Sequence, residues 1–408
     1  MKPETIEREV GMPENLSATE LLELVRRTFR PRESDRALGI LVDLPDETSP
    51  DTPAWRARRR MARDWAGLLL EKRAEHRMEV ALYLYRNVHR NNADLPSIAW
   101  RYTAGELPGA ADELDPRTAI PFSTVFSECS LIIAPTELST TAPLKLNARR
   151  YGFRAATLPG FSPSMIPALR LDYREIHRRV QLLKELLDAS ASAALTFTVD
   201  GGATHRLLLD LRHRTAHASG GLITEPGTAG NLPSGEAYIV PYEGEVMGDA
   251  TRSAGNLPVE LDGEVVVYRI AGNRAVEVLS AGAVSSREAN LLAEEPAYGN
   301  LAELGLGVLS GFGIQPVGEI LLDEKLGLHI AFGRSDHFGG EVGAEDFSHP
   351  QAVVHQDRIY IPQLQPRVHV DRVDLEDDRG RRTTLMRDGE YQIDLGAGRE
   401  ERPKRSAE

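Results

Sequence analysis

A single cysteine, Cys129, occurs in the chain, so no internal disulfide can staple it. It lies in the apolar run CSLIIAP, where a buried and unreactive thiol is expected, and a cytoplasmic location follows as an expectation. Positive charge is also scarce. Lys and Arg number 48 against 61 Asp and Glu, leaving a formal net charge of −13, which disfavours nucleic acid and anionic membrane as partners. No run of about 18 apolar residues occurs, and no basic start leads into an apolar stretch, so neither a membrane span nor a secretory leader is expected. The N-terminal half has no Gly-x-Gly-x-x-Gly after a strand pattern, so a nucleotide cofactor is not expected either. A small molecule, a peptide or a cation remains.

What is present is ordinary globular composition, 41% hydrophobic over 408 residues, enough for two or three domains. In SATELLELVRRTF, Ser17 and Glu20 have capping-box spacing, and Leu21, Leu22, Val25 and Phe29 recur at helical intervals. RALGILVDLP then reads as a strand, AWRARRRMARDWAGLLLEKRAEH as a long helix, and MEVALYLYRN and CSLIIAP as further strands. This alternation predicts an α/β domain with an open, partly parallel sheet over residues 1–190. After the helical DYREIHRRVQLLKELLDAS, short strands broken by Gly and Pro predict a β-rich α+β metal-binding domain over 191–395. The charge-dense end, 396–408, is expected to be a disordered tail.

The β-rich half carries acids where strands should be apolar. Glu236 opens AYIV after a Pro-Ser-Gly turn, Glu303 lies in NLAELGLGVLSGFG, Glu324 and His329 lie in LLDEKLGLHIAFG, and His355 and Asp357 lie in AVVHQDRIYIP. Strand residues two apart share a face, so His355 and Asp357 project together. Each alone has an ordinary structural reading. Together, four carboxylates with a charge of about −4 embedded in apolar strands are costly unless paired or metal-bound, and two divalent cations would neutralise them. Mixed imidazole and carboxylate ligands suit Zn, Mn, Co or Fe, and the lack of cysteine ligands points to a catalytic metal. The His213 and His217 pair in HRTAH lacks the glutamate of a helical zinc motif and follows a strand, and His349 reads as a loop residue.

NLPSGEAY, LAELGLG, DEKLGLHIAFGRS and VHQD resemble, in order and approximate spacing, the motif set of the aminopeptidase T / aminopeptidase S family of metallo-aminopeptidases. The resemblance is specific over roughly residues 200–362 and architectural before them. It implies a two-metal site with Glu236, Glu303, Glu324, His329, His355 and Asp357 as ligands, a homodimer, and release of N-terminal residues from short peptides. Glu303 is then a candidate for the general base. One position departs from the pattern: the family has a tyrosine seven residues after the histidine matched by His329, and Asp336 stands there, followed by His337. Either would serve as a substitute polar group.

Three readings stay open. The first is a dinuclear metallohydrolase. The second is a non-haem Fe(II) ring-cleaving dioxygenase using His329, His355 and Asp357, since a group of pyridine-diol dioxygenases is similar to the same family. The third is a non-catalytic binding relative.

Overall fold

The computed structural model describes residues 15–396, so the expected tail lies, beyond Gly396, outside the described residues. The first helix, Ala18–Phe29, begins as its spacing predicts. The Ser17 hydroxyl accepts from the Glu20 amide at 3.3 Å, and the Glu20 carboxylate accepts from the Ser17 amide at 2.8 Å.

Seven strands form a mixed sheet in the order Thr228–Asn231, Arg154–Thr157, Leu131–Ala134, Ala37–Leu44, Glu79–Arg86, Ile98–Arg101 and Ala119–Pro121. The first five run parallel and the last two add antiparallel. Within Ala37–Leu44 every residue from Leu38 onward is buried, so both faces are covered, and apart from the buried Asp43 the strand shows no polar alternation of the kind a half-exposed strand would have. Cys129 is free and buried, and burial pushes its thiol up to about 12. Its Sγ occupies the space a side chain at Gly39 would take, 2.8 Å from where a Cβ would sit.

The chain divides into two compact units, and the division corrects the boundary expected at 190. One unit runs to Tyr173 and regains Gly221–Pro233; the other comprises Arg174–Gly220 and the chain from Ser234 onward. The helix Tyr173–Asp188 therefore belongs, from Arg174, with the β-rich unit. Its buried stripe of Ile176, Val180, Leu183 and Leu187 marks the packing face, Ile176 lies beside Gly235, and the Arg179 guanidinium sits 4.2 Å from the Phe312 ring. Conversely, Thr228–Asn231 pairs in register with Arg154–Thr157 and so returns to the parallel sheet.

The β-rich unit holds two antiparallel sheets. Eight strands follow the order Arg274–Val278, Glu264–Ala271, Ala254–Leu261, Ala203–Asp210, Ser192–Val199, Val368–Glu376, Arg382–Arg387 and Glu390–Tyr391. Five others, His355–Ile359, Leu328–Gly333, Leu301–Gly307, Glu236–Ile239 and His217–Ser219, form the sheet that carries the candidate site. Among the described residues no helix is long and apolar enough to cross a membrane.

Candidate metal centre

The register of the five-stranded sheet collects the acids and imidazoles on one face. Tyr238 lies opposite both His217 and Gly305, Gly305 opposite His329, and Glu236 opposite Gly307. Glu303 lies opposite Ala331, Ala331 opposite Asp357, and Gly333 opposite His355. Partners across a ladder share a face, as do residues two apart, so these side chains project together while Ala237, Ile239, Leu304, Leu306, Ile330 and Phe332 fill the core behind. Glycine makes the crowding possible. A Cβ on Gly305 would lie 1.9 Å from His329 Nε2, and one on Gly307 would lie 2.3 Å from the Lys325 carbonyl carbon. LAELGLG thus supplies one ligand candidate and the space for its neighbours.

Glu303 is the centre of the arrangement. Its Oε1 is 3.2 Å from His329 Nε2 and its Oε2 is 3.3 Å from His355 Nε2. Glu236 Oε2 is 3.5 Å from His329 Nε2, and Asp357 Oδ1 is 3.7 Å from His355 Nε2. Two groups of three result, Glu236 with Glu303 and His329, and Glu303 with His355 and Asp357, each with its ligand atoms within 4.8 Å of one another. Both could hold a metal ion. The imidazoles are oriented as ligands would be, since His329 Nδ1 lies 3.2 Å from the Gly327 carbonyl and His355 Nδ1 lies 2.8 Å from the Arg334 carbonyl. A proton on each Nδ1, donated to its carbonyl, leaves Nε2 as the free electron pair facing the carboxylates. Glu236 Oε2 is buried without a hydrogen-bond partner, an orphan acceptor of the kind a cation would satisfy.

Without a cation the charges settle on protons. Burial opposes ionisation of Glu303, but hydrogen bonds from His329 and His355 outweigh it and hold the carboxyl below the usual range. The same bonds, against burial, raise His329 to about 10 and His355 to about 9.

The remaining expected residues fall elsewhere. Glu324 is in neither group; it sits on the turn Glu324–Leu326, its carboxylate bonded by the Lys325 ammonium. Burial first, with the charges of Glu236 and Asp357, pushes Glu324 up to about 8 despite Lys325. Asp336 does not stand free to replace a phenol. Arg334 binds it through Nε at 2.5 Å and Nη2 at 3.0 Å, keeping it ionised below the usual carboxylate range against the effect of burial. His337 Nδ1 is 3.4 Å from Asp336, and its ring centroid lies 5.3 Å from that of His355, at the rim of the centre. His213 pairs with Asp249 at 2.9 Å, and His349 contacts the Ser348 hydroxyl at 3.1 Å.

Two residues escape a reading from sequence. Lys325 is 1% exposed, and its Nζ donates to Glu236 as well as to Glu324. A lysine set between Glu324 and Leu326 in a largely apolar stretch is the available signal. Tyr238 shares the face of Glu236 by the same two-residue rule that joins His355 to Asp357.

The fold and site together define an α/β unit and a β-rich unit whose smaller sheet carries acid and imidazole groups able to hold metal. No family model matches the chain, and no curated protein sequence matches it significantly. Its fold is similar to the solved structure of 2,5-dihydroxypyridine dioxygenase from Pseudomonas putida KT2440, with a TM-score of 0.59 and 13% identity over 94% of this chain and 100% of that one.

Proposed function

We propose that the chain is a metal-dependent hydrolase of aminopeptidase type, acting on short peptides or aminoacyl amides, with Glu303 shared between two adjacent divalent cations. The observation that carries this reading is that Glu303 turns one carboxylate oxygen to each imidazole, with Glu236 beyond one and Asp357 beyond the other. Glu236, Glu303 and His329 would hold one cation, and Glu303, His355 and Asp357 the other. When bound, the pair would supply a polarised scissile carbonyl and an acidified water. Glu303, with both oxygens engaged, is a poor choice for the proton acceptor expected from the sequence. Glu324 lies outside both groups with its carboxylate oriented by Lys325, and it would take the proton once bound cations offset its raised pKa and leave it ionised.

A second reading is favoured by the fold likeness to a dioxygenase: a single Fe(II) held by His329, His355 and Asp357, opening a hydroxylated aromatic ring. Turnover separates the two. Protein reconstituted with Zn, Co or Mn should release amino acids from a panel of aminoacyl amides. Oxygen consumption with Fe(II) and 2,5-dihydroxypyridine, and no amide hydrolysis, would overturn the proposal in favour of the second reading. Metal binding with neither activity would leave a binding relative.

A further inference from the structure

Tyr238 has no assigned role in the ligand set, yet its position is constrained from every side. Its strand places it two residues from Glu236 on the same face, and across Gly305 it neighbours His329. The ring is stacked on His217, centroids 5.2 Å apart at 26°, and meets the Phe338 ring edge-on at 4.9 Å. His217 is itself fixed by a 3.0 Å contact between Nε2 and the Phe338 carbonyl. Clamped in this way beside Phe338, whose ring also meets that of His355 at 5.2 Å, the phenol stays protonated, through burial first and then the charges of Glu303, Glu236 and Glu324. Its hydroxyl nevertheless makes no hydrogen bond among the described residues. A partly buried donor, held beside carboxylates but not spent on them, is available to whatever occupies the centre.

Building on the hydrolase reading, we infer that Tyr238 is a catalytic residue, donating a hydrogen bond to the substrate oxygen that gains negative charge when the scissile carbonyl is attacked. Asp336 cannot do this. Its carboxylate has no proton to give and is engaged by Arg334. Tyr238 reaches the same centre from a different strand, so a phenol is supplied although the position seven residues after His329 lacks one. The role needs only the donor proton of a neutral phenol and no change in its ionisation.

The test is Tyr238→Phe, which keeps the ring and its contacts with His217 and Phe338. In amide hydrolysis, kcat should fall on the order of 10²-fold with KM changed little, as when one such donor is removed from an oxyanion site, and the metal content per chain should match wild type. A kcat within twofold of wild type overturns the inference. Because hydrolysis itself is a proposal, a second measurement stands apart from turnover: calorimetric binding of inorganic phosphate, a tetrahedral oxyanion, to zinc-loaded protein. Loss of one hydrogen bond to a charged acceptor should weaken phosphate roughly tenfold in Tyr238→Phe. Equal affinity in the two forms, or no phosphate binding by loaded wild type, counts against Tyr238 as the donor. Weakened phosphate binding without amide hydrolysis by wild type would uphold the donor and reject the substrate class.

Discussion

Replacing Gly305 by alanine perturbs the centre without touching a ligand. A methyl there would lie 1.9 Å from His329 Nε2, 2.2 Å from Cε1 and 2.5 Å from Cδ2. An ordinary contact of about 3.4 Å therefore requires the ring or the strand to move by about 1.5 Å. Neither yields easily. His329 is fully buried, its Nδ1 is tied to the Gly327 carbonyl, and the strands on both sides of it are locked in ladder register. A displacement of that size exceeds the tolerance of metal coordination, about 0.2 Å in ligand distance. Cation affinity should therefore fall by at least 10–100-fold, the loss seen when an outer-shell support alone is removed. Overpacking should also cost about 1–3 kcal/mol of stability. Zinc titration with a competing chelator measures the first effect and urea denaturation the second. Gly67→Ala is the control: Gly67 sits within the helix Pro53–Glu71 with nothing within 4 Å of a new Cβ, so a gain of about 0.5–1 kcal/mol is expected. Unchanged zinc affinity in Gly305→Ala would refute the reasoning that this glycine exists to seat His329.

Three further outcomes follow from the same geometry. His355→Ala should lose one of two bound cations and all hydrolysis while circular dichroism stays unchanged, because Glu236, Glu303 and His329 remain; full metal content in that variant would remove His355 from the ligand set. Lys325→Met strips the ammonium from Glu236 and Glu324, so the metal-free protein should lose about 3–5 kcal/mol in urea denaturation, the usual result of orphaning buried charge. The loaded protein should lose clearly less, and equal losses would mean that Lys325 acts by packing alone. The metal-free protein should also lose stability as pH rises. Folded His329 and His355 sit near 10 and 9, above the unfolded value of about 6.5. Their contribution is complete below about 6.5 and is lost as pH climbs through 9 to 10. The melting temperature of stripped protein should fall over that range, whereas loaded protein, with both imidazoles neutral, should not show this fall.

The site is legible from sequence where a period of two is enough. Glu236, Glu303, His329, His355 and Asp357 stand in apolar strands at positions where a solvated face would give other polar neighbours, and strand alternation alone pairs His355 with Asp357. Ligand grouping is not legible, because it depends on register across strands: only the pairing of Gly305 with His329, and of Ala331 with both Glu303 and Asp357, puts Glu303 between the two imidazoles. The fate of Asp336 is hidden for a similar reason. Arg334 is two residues away, and whether it closes onto Asp336 is decided by a tight turn rather than by composition. In the fold, the strand and helix alternation predicts the parallel sheet. The return of Thr228–Asn231 to that sheet has no such signal, since TAGN carries no apolar pattern and owes its place to ladder bonds with Arg154–Thr157. The helix Tyr173–Asp188 is legible as a helix, but its apolar stripe does not say which unit it covers.

The central claim is that one carboxylate, Glu303, joins two cation positions. Native mass spectrometry of protein stripped and then reloaded with excess zinc counts the cations directly. Two per wild-type chain, both lost when Glu303 is changed to alanine, is the predicted result; a single cation at saturation, or two that survive Glu303→Ala, would contradict it.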